Sequence, residues 1–439
     1  MASHSQSDRA QVGRGAGEQP VAALPTPASA AAAPAGAGIS ADALARIDAL
    51  YRERVESGSM AGIVYGVARR GRVVHRGIVG HADIEQGRAM APDTVFRLAS
   101  MTKPVTAIAL MMLHEEGRFE LDDPLSAYLP AFADIKALRT LDAAPDDVVD
   151  LDRPITIRHI LQHSAGLGLG LGIGLTGEAL LAGIDLYNPG HSLADDVTNV
   201  AKVPLVYQPG TIWNYSLAPD IQARLVEILS GESFAAFLEK RIFQPLGMVD
   251  TAFAVRADMA ARMAAVYWRD GETLTRWREG NMPMLPPIIA KWPQPFANLD
   301  NLEVVSARGS FGLYSTLGDY LRFAQMLLNG GALDGVRIIA ADTLKLMTGD
   351  SLGELPMMWP VQGLGFGLGF AILRDPETAG YEGTPGMFHW DGALGTVMWV
   401  DPERDLVVVG MAQHLLIAEL TPDALGAELR NHIYPALLD

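Results

Sequence analysis

Ser100-Met101-Thr102-Lys103 decides how the rest of this chain reads. Val95-Phe96-Arg97-Leu98-Ala99 precedes it, short and mostly apolar. Val105 to Leu113 follows it, almost wholly apolar, up to His114-Glu115-Glu116 and Gly117. The second run is long enough for a helix, and glycine suits the position just past a helix end. A helix apolar on every side belongs in a core. Pro104 fits only the first turn, where a missing N–H costs little, so the helix is expected to begin near Ser100. Ser100 then heads a buried helix, and Lys103 lies about one turn on, on the same face. A serine hydroxyl is a poor nucleophile until a base takes its proton. A lysine whose pKa is lowered by burial can be that base, or it can hold a second base anionic. The helix N-terminus adds positive potential where an oxyanion develops. The competing reading is a surface serine near a surface lysine, and the apolar run weighs against it.

Composition bounds the rest. The chain has 439 residues, of which 49% are hydrophobic and 19% charged, enough for a large core in one or two domains. Its formal charge of −17, from 34 basic and 51 acidic residues, disfavours nucleic acid and anionic membranes as partners. No cysteine is present, which excludes disulfides, thiol catalysis and Cys-zinc sites. No apolar run approaches the ~18 residues of a membrane span. Residues 1–38 are rich in Ala, Pro, Gly and Ser and are expected to form a disordered arm. Pro20-Val21-Ala22-Ala23-Leu24 is too short and proline-broken for a signal-peptide core, so a cytoplasmic protein is expected.

Along the chain, Ser40 to Val55 has helical spacing, with Ser40 as N-cap. Gly62–Ala68 and Val73–Val79 read as strands joined by a hairpin at Arg70-Gly71. Leu121 to Leu151 reads as irregular surface, and its aspartates as a solvated face rather than a cation site. Ile155 to His163 reads as a short helix capped by Thr156, with His159 and His163 able to share a face. Ile160 stands where a zinc protease needs glutamate, so no metal is expected there. Gly172 to Gly177 fits GxGxxG by letter, but no strand precedes it, and a loop beside a cleft is the better reading. Helices are expected over Ile221–Leu229, Ser233–Ile242, Leu317–Leu328 and Pro422–Leu437. Strands are expected over Phe366–Leu373, Met387–Trp390, Gly395–Val400 and Leu406–Met411. Strands at both ends with helices between imply an α+β fold: an antiparallel sheet from both termini (39–116 and 361–439) and a mainly helical region (117–360), with a cleft between them.

Two further stretches carry chemistry. Gln208 to Ser216 is a turn followed by an aromatic loop, in which Tyr215 is either packing or, if a cation lowers its phenol pKa, a general base. His389-Trp390-Asp391-Gly392-Ala393 ends a strand. Glycine there admits substrate to the backbone, and the next N–H can serve an oxyanion; a bulge is the plain alternative. Gly349-Asp350-Ser351-Leu352-Gly353 fits GxSxG, but it lacks the strand before and helix after that this motif requires, which makes Ser351 a loop serine.

Taken together and in this order, Ser-x-x-Lys, Tyr-Ser and Trp-x-Gly resemble the serine β-lactamase and penicillin-binding-protein superfamily. Within it the chain is most similar to the family VIII carboxylesterases, themselves similar to class C β-lactamases. The resemblance runs from about Ser40 to the C-terminus and includes Leu161 to Leu167, which resembles a His-Thr-Ser-Gly-Leu segment. It implies a β-lactamase-like fold and a cofactor-free serine esterase acting through an acyl-enzyme. Ser100 would be nucleophile, Lys103 and Tyr215 its activating pair with Tyr215 as proton shuttle, and the N–H groups of Ser100 and Ala393 the oxyanion hole. Trp390 and Gly392 would line the substrate site. Two departures matter: Leu217 replaces the Asn of Tyr-x-Asn, and Trp390-Asp391-Gly392 lacks the lysine of Lys-Thr-Gly. Both remove groups that would hold a β-lactam. Short- to medium-chain acyl esters are therefore the expected substrates, with weak cephalosporin opening. A β-lactamase or D-amino-acid peptidase on the same scaffold is one alternative, and a non-catalytic ligand-binding protein another.

Overall fold

The computed structural model describes residues 34–168, 190–270, 273–278, 307–358, 362–415 and 424–438, with 180, 183, 184 and 186. Residues 169–175 of the glycine-rich run, the Met-, Pro- and Trp-rich stretch from Pro283 to Pro295, Trp359-Pro360 and the start of the expected tail helix at Pro422 lie outside the described residues.

An eight-stranded sheet joins the two ends of the chain. Its strands are β1 (Gly62–Arg69), β2 (Arg72–Asp83), β3 (Arg88–Ala89), β4 (Leu364–Phe366), β5 (Ala371–Leu373), β6 (Phe388–Gly392), β7 (Thr396–Asp401) and β8 (Leu406–Met411). Their order is β4-β5-β6-β7-β8-β1-β2-β3, with every neighbouring pair antiparallel. The β1–β8 pair, from Val64↔Met411 to Arg69↔Leu406, stitches the N-terminal strands to the C-terminal ones. Arg70 and Gly71 both take positive φ, the conformation a two-residue hairpin of this kind demands.

The central strands are buried on both faces, and their side chains alternate between two cores. Tyr65, Val67, Val397, Trp399 and Val408 pack with α1 (Ala41–Glu56) and the tail helix Ala424–Ile433. Val64, Ala68, Met398, Val400, Val407 and Val409 face the second core, which holds the helices Thr102–Glu115, Ala218–Ser230 and Leu317–Leu328, here α2, α4 and α5. Caps expected from sequence form. Ser40 Oγ accepts from Ala43 N at 3.2 Å. Thr156 caps α3 (Ile157–Leu161) through reciprocal bonds with His159. Asp122 pairs with Arg158 at 2.7 Å and Asp147 with Arg139 at 2.8 Å on the irregular surface between α2 and α3.

Three expectations change. Phe366–Leu373 is not one strand but the hairpin β4–β5. Gly369 takes φ 99° where the chain doubles back, and a Cβ there would overlap the Cβ of Ala107 on α2. His159 and His163 do not share a face, because α3 stops at Leu161 and His163 takes φ 57°. The arm expected over 1–38 does not reach Gly38: Pro34–Ala37 form a 3-10 turn, Ala37 is buried, and Gly38 O accepts from Leu438 N at 2.9 Å.

Candidate active site

Every residue of α2 from Thr102 to Leu113 is buried, as its composition demands. The α-helix proper starts at Thr102, and Ser100 sits in a tighter 3-10 turn, Ala99–Met101, at its head. Ala99 takes φ 48°, uncommon for a residue with a Cβ, and so bends the chain immediately before Ser100. The turn is fixed from outside: Tyr320 OH on α5 donates to Met101 O at 2.7 Å, and Thr396 Oγ1 on β7 donates to Leu98 O at 2.8 Å. Ser100 itself remains half-buried.

Two side chains converge there, Lys103 from the next turn and Tyr215 from a distant segment. Lys103 Nζ lies 3.2 Å from Ser100 Oγ, and Tyr215 OH lies 2.9 Å from the same oxygen. Lys103 Nζ also donates to Ser310 O at 2.7 Å and stands 4.7 Å from the centre of the Tyr215 ring. Burial lowers the Lys103 pKa to about 7, while the carboxylate of Asp220, on α4, pulls it upward. A substantial fraction of Lys103 is therefore neutral near pH 7, and a neutral amine accepts a proton. The condition under which Tyr215 would be a general base, a phenol pKa lowered by a cation, is not met. Desolvation dominates and raises its pKa, with the Ser100 hydroxyl acting the other way. Burial drives the phenol toward its neutral form just as it drives the amine toward its own.

β6 supplies the opposite wall. Trp390 packs on Tyr215 with ring centres 5.5 Å apart, and Phe366 packs on Trp390 at 5.6 Å. Gly392 ends the strand against the Ser100 turn. A Cβ there would overlap Leu98 O and Thr396 Oγ1, so only glycine permits this approach. Ala393 follows, exposed, as the first residue of the turn. Met357 and Met358 flank Trp213, whose N–H donates to Pro356 O at 2.9 Å and whose carbonyl accepts from Met358 N at 2.9 Å. Met282, Met284 and Trp359 lie outside the described residues.

Ser351 is elsewhere in kind. Its hydroxyl accepts from Gln162 Nε2 at 2.8 Å and lies 3.3 Å from Phe366 O, on a loop after the helix Ala341–Thr348. No group of three or more metal-ligating side chains occurs among the described residues. Sequence reasoning missed Asp220 and Ser310. An acid among the buried residues of α4 was a usable signal for the first; nothing in the sequence marks a backbone carbonyl.

The β-lactamase family profile matches residues 47–425. The chain belongs to the β-lactamase family. Among its relatives, esterase EstB of Burkholderia gladioli is 33% identical over 84% of this chain and 90% of its own. Lovastatin esterase of Penicillium rubens is 28% identical over 84% of this chain and 93% of its own. The solved structure of EstCE1, a hydrolase with promiscuous acyltransferase activity, superposes with a TM-score of 0.74 at 26% identity, covering 90% of this chain and 98% of that one. Strands from both ends of this chain form its sheet, and the chain is a serine hydrolase of the β-lactamase family.

Proposed function

We propose that this member of the β-lactamase family is a carboxylesterase in which Ser100 is the nucleophile and Lys103 with Tyr215 moves its proton. The carrying observation is one hydroxyl oxygen held at 3.2 Å from an amine and 2.9 Å from a phenol. Neutral Lys103 takes the Ser100 proton as Oγ attacks the ester carbonyl carbon. The resulting oxyanion is received by the N–H groups of Ser100 and Ala393. Tyr215 gives its proton to the departing alkoxide, and the Lys103 ammonium restores it, so one alcohol leaves and the acyl group stays on Ser100. Water then retraces the sequence and frees the acid. No cofactor enters the scheme. The esterase names of two relatives support ester substrates, and Trp390, Met357 and Met358 offer an apolar surface for an acyl chain.

The substrate test is kcat/KM for aryl esters from two to about twelve acyl carbons beside a chromogenic cephalosporin. Short- to medium-chain esters are expected to lead. The third motif offers no lysine to a lactam carboxylate, and losing such a charge-assisted contact costs about 1.5–3 kcal/mol, on the order of ten- to a hundred-fold. A cephalosporin value above the best ester would replace this reading with a β-lactamase.

The proton scheme fixes a pH dependence. Activity needs neutral Lys103, so kcat/KM is expected to fall on the acid side through a pKa near 7. Asp220 holds that pKa up and its Oδ1 accepts from Ser310 N at 2.8 Å. Asp220→Asn keeps an acceptor and removes the charge. The Lys103 pKa then drops, the amine stays neutral in more acidic solution, and the acid limb is expected to move to lower pH. A limb that stayed in place would take Lys103 out of the base role.

A further inference from the structure

The segment Leu161 to Leu167 takes no part in the proton scheme, and the loop carrying Tyr215 is laid along it and Gly168. Val206 N donates to Gly166 O at 2.7 Å, Gly210 N to Ser164 O at 2.7 Å, Asn214 N to His163 O at 2.9 Å, and Leu217 N to Gly168 O at 3.2 Å. Asn214 Nδ2 adds a bond to Leu167 O at 3.0 Å. A Cβ at Gly166 would overlap Tyr207 O, so glycine admits this close docking. These bonds hold the loop but do not by themselves aim a phenol.

His163 meets the residue next to it. Ser216 N lies 3.2 Å from His163 Nδ1, and Ser216 Oγ lies 2.9 Å from the same nitrogen. A backbone N–H only donates, so Nδ1 is the acceptor and the ring proton sits on Nε2. The ring is buried, with its centre 5.3 Å from that of Tyr215, 6.0 Å from Trp213 and 5.5 Å from Phe366. It thus fixes the backbone just after Tyr215 and one side of the Tyr215 ring together. The left-handed φ of 57° at His163 is a local cost retained by these contacts. Lys103 bears on the opposite charge state: burial first, then the Lys103 charge, lower the His163 pKa to about 3, so the imidazole stays an acceptor across the working range.

We infer that His163 is the positioning residue for Tyr215, its Nδ1 and ring face together setting the phenol at hydrogen-bond distance from Ser100. The inference rests on the esterase reading above. A phenol displaced by a fraction of an ångström still leaves substrate room to bind, so the loss belongs in kcat and not in KM.

The test compares His163→Gly and His163→Asn with the wild type on the best ester, with Ser100→Ala run alongside. Glycine accepts the left-handed backbone and removes both ring and acceptor. Asparagine also tolerates that backbone and returns an acceptor. His163→Gly is expected to lower kcat about 10- to 100-fold with KM within about 3-fold, and His163→Asn to recover most of the loss. Ser216→Ala, which removes one donor and leaves the ring in place, is expected to lower kcat a few-fold at unchanged KM, and it decides the matter if the glycine variant does not fold. A loss confined to KM, an asparagine variant no better than glycine, or wild-type kcat in Ser216→Ala with the glycine variant unfolded would overturn the proposal. Ester turnover lost in Ser100→Ala but kept in His163→Gly overturns the positioning role alone. Absence of ester turnover in the wild type overturns both this role and the esterase reading.

Discussion

Ser100→Ala is expected to lower kcat for the best ester on the order of 10⁴-fold or more, while Ser351→Ala stays within a few-fold of wild type. The two serines have comparable motif claims, Ser-x-x-Lys against GxSxG, and the structure separates them by surroundings. Ser100 Oγ has a buried amine at 3.2 Å and a phenol at 2.9 Å. Ser351 Oγ has an amide donor from Gln162 and a backbone carbonyl acceptor, neither of which can take its proton. Losing the Ser351 hydroxyl removes a structural hydrogen bond between the α3 segment and β4, worth about 1 kcal/mol of stability. Steady-state kinetics with a melting curve on each variant checks both halves. Intact mass after a serine-directed covalent inhibitor gives a second readout, with the adduct expected on wild type and Ser351→Ala but not on Ser100→Ala. An adduct that survived Ser100→Ala and vanished in Ser351→Ala would reverse the assignment.

The legible parts of this molecule are those where a short stretch dictates its own environment. Val105 to Leu113 has no polar side to offer water except Thr106, which bonds Thr102 O and Gly309 O, so its burial followed from the letters. Arg70-Gly71 between two strand-like runs reads as a tight turn. The hairpin β4–β5 was not legible as two strands because Phe366 to Leu373 is apolar throughout. What divides it is the contact of Gly369 with Ala107, a partner more than 260 residues away in sequence. The site shows the same division. Ser100 and Lys103 share one turn and announce each other. Asp220 and Ser310 reach Lys103 only through folding, and the raised pKa of Tyr215 comes from burial that only the assembled site imposes. Spacing carries no information about that burial.

Lys103→Ala and Tyr215→Phe are each expected to lower kcat about 10²- to 10⁴-fold, with the double variant little worse than either single one. One proton makes the circuit from Ser100 to Lys103 and back to the alkoxide through Tyr215. Removing either carrier breaks the circuit, and removing the second then has little left to break. Losses that multiplied would mean two independent contributions instead. A third substitution assigns the roles within the pair. Lys103→Arg keeps a positive charge near the Tyr215 ring but cannot give a neutral base near pH 7, since a guanidinium stays protonated. If Lys103 takes the Ser100 proton, Lys103→Arg is as inactive as Lys103→Ala. If Lys103 serves only as a cation that ionises Tyr215, Lys103→Arg retains activity. The raised phenol pKa of Tyr215 and the lowered amine pKa of Lys103 favour the first outcome, because both buried groups are driven toward their neutral forms and only the neutral amine is then a base. Melting curves on all four variants accompany the rates, since shortening a buried side chain to alanine also leaves a cavity. An arginine variant within about ten-fold of wild-type kcat would move the base role to Tyr215 and leave Lys103 as its counter-charge.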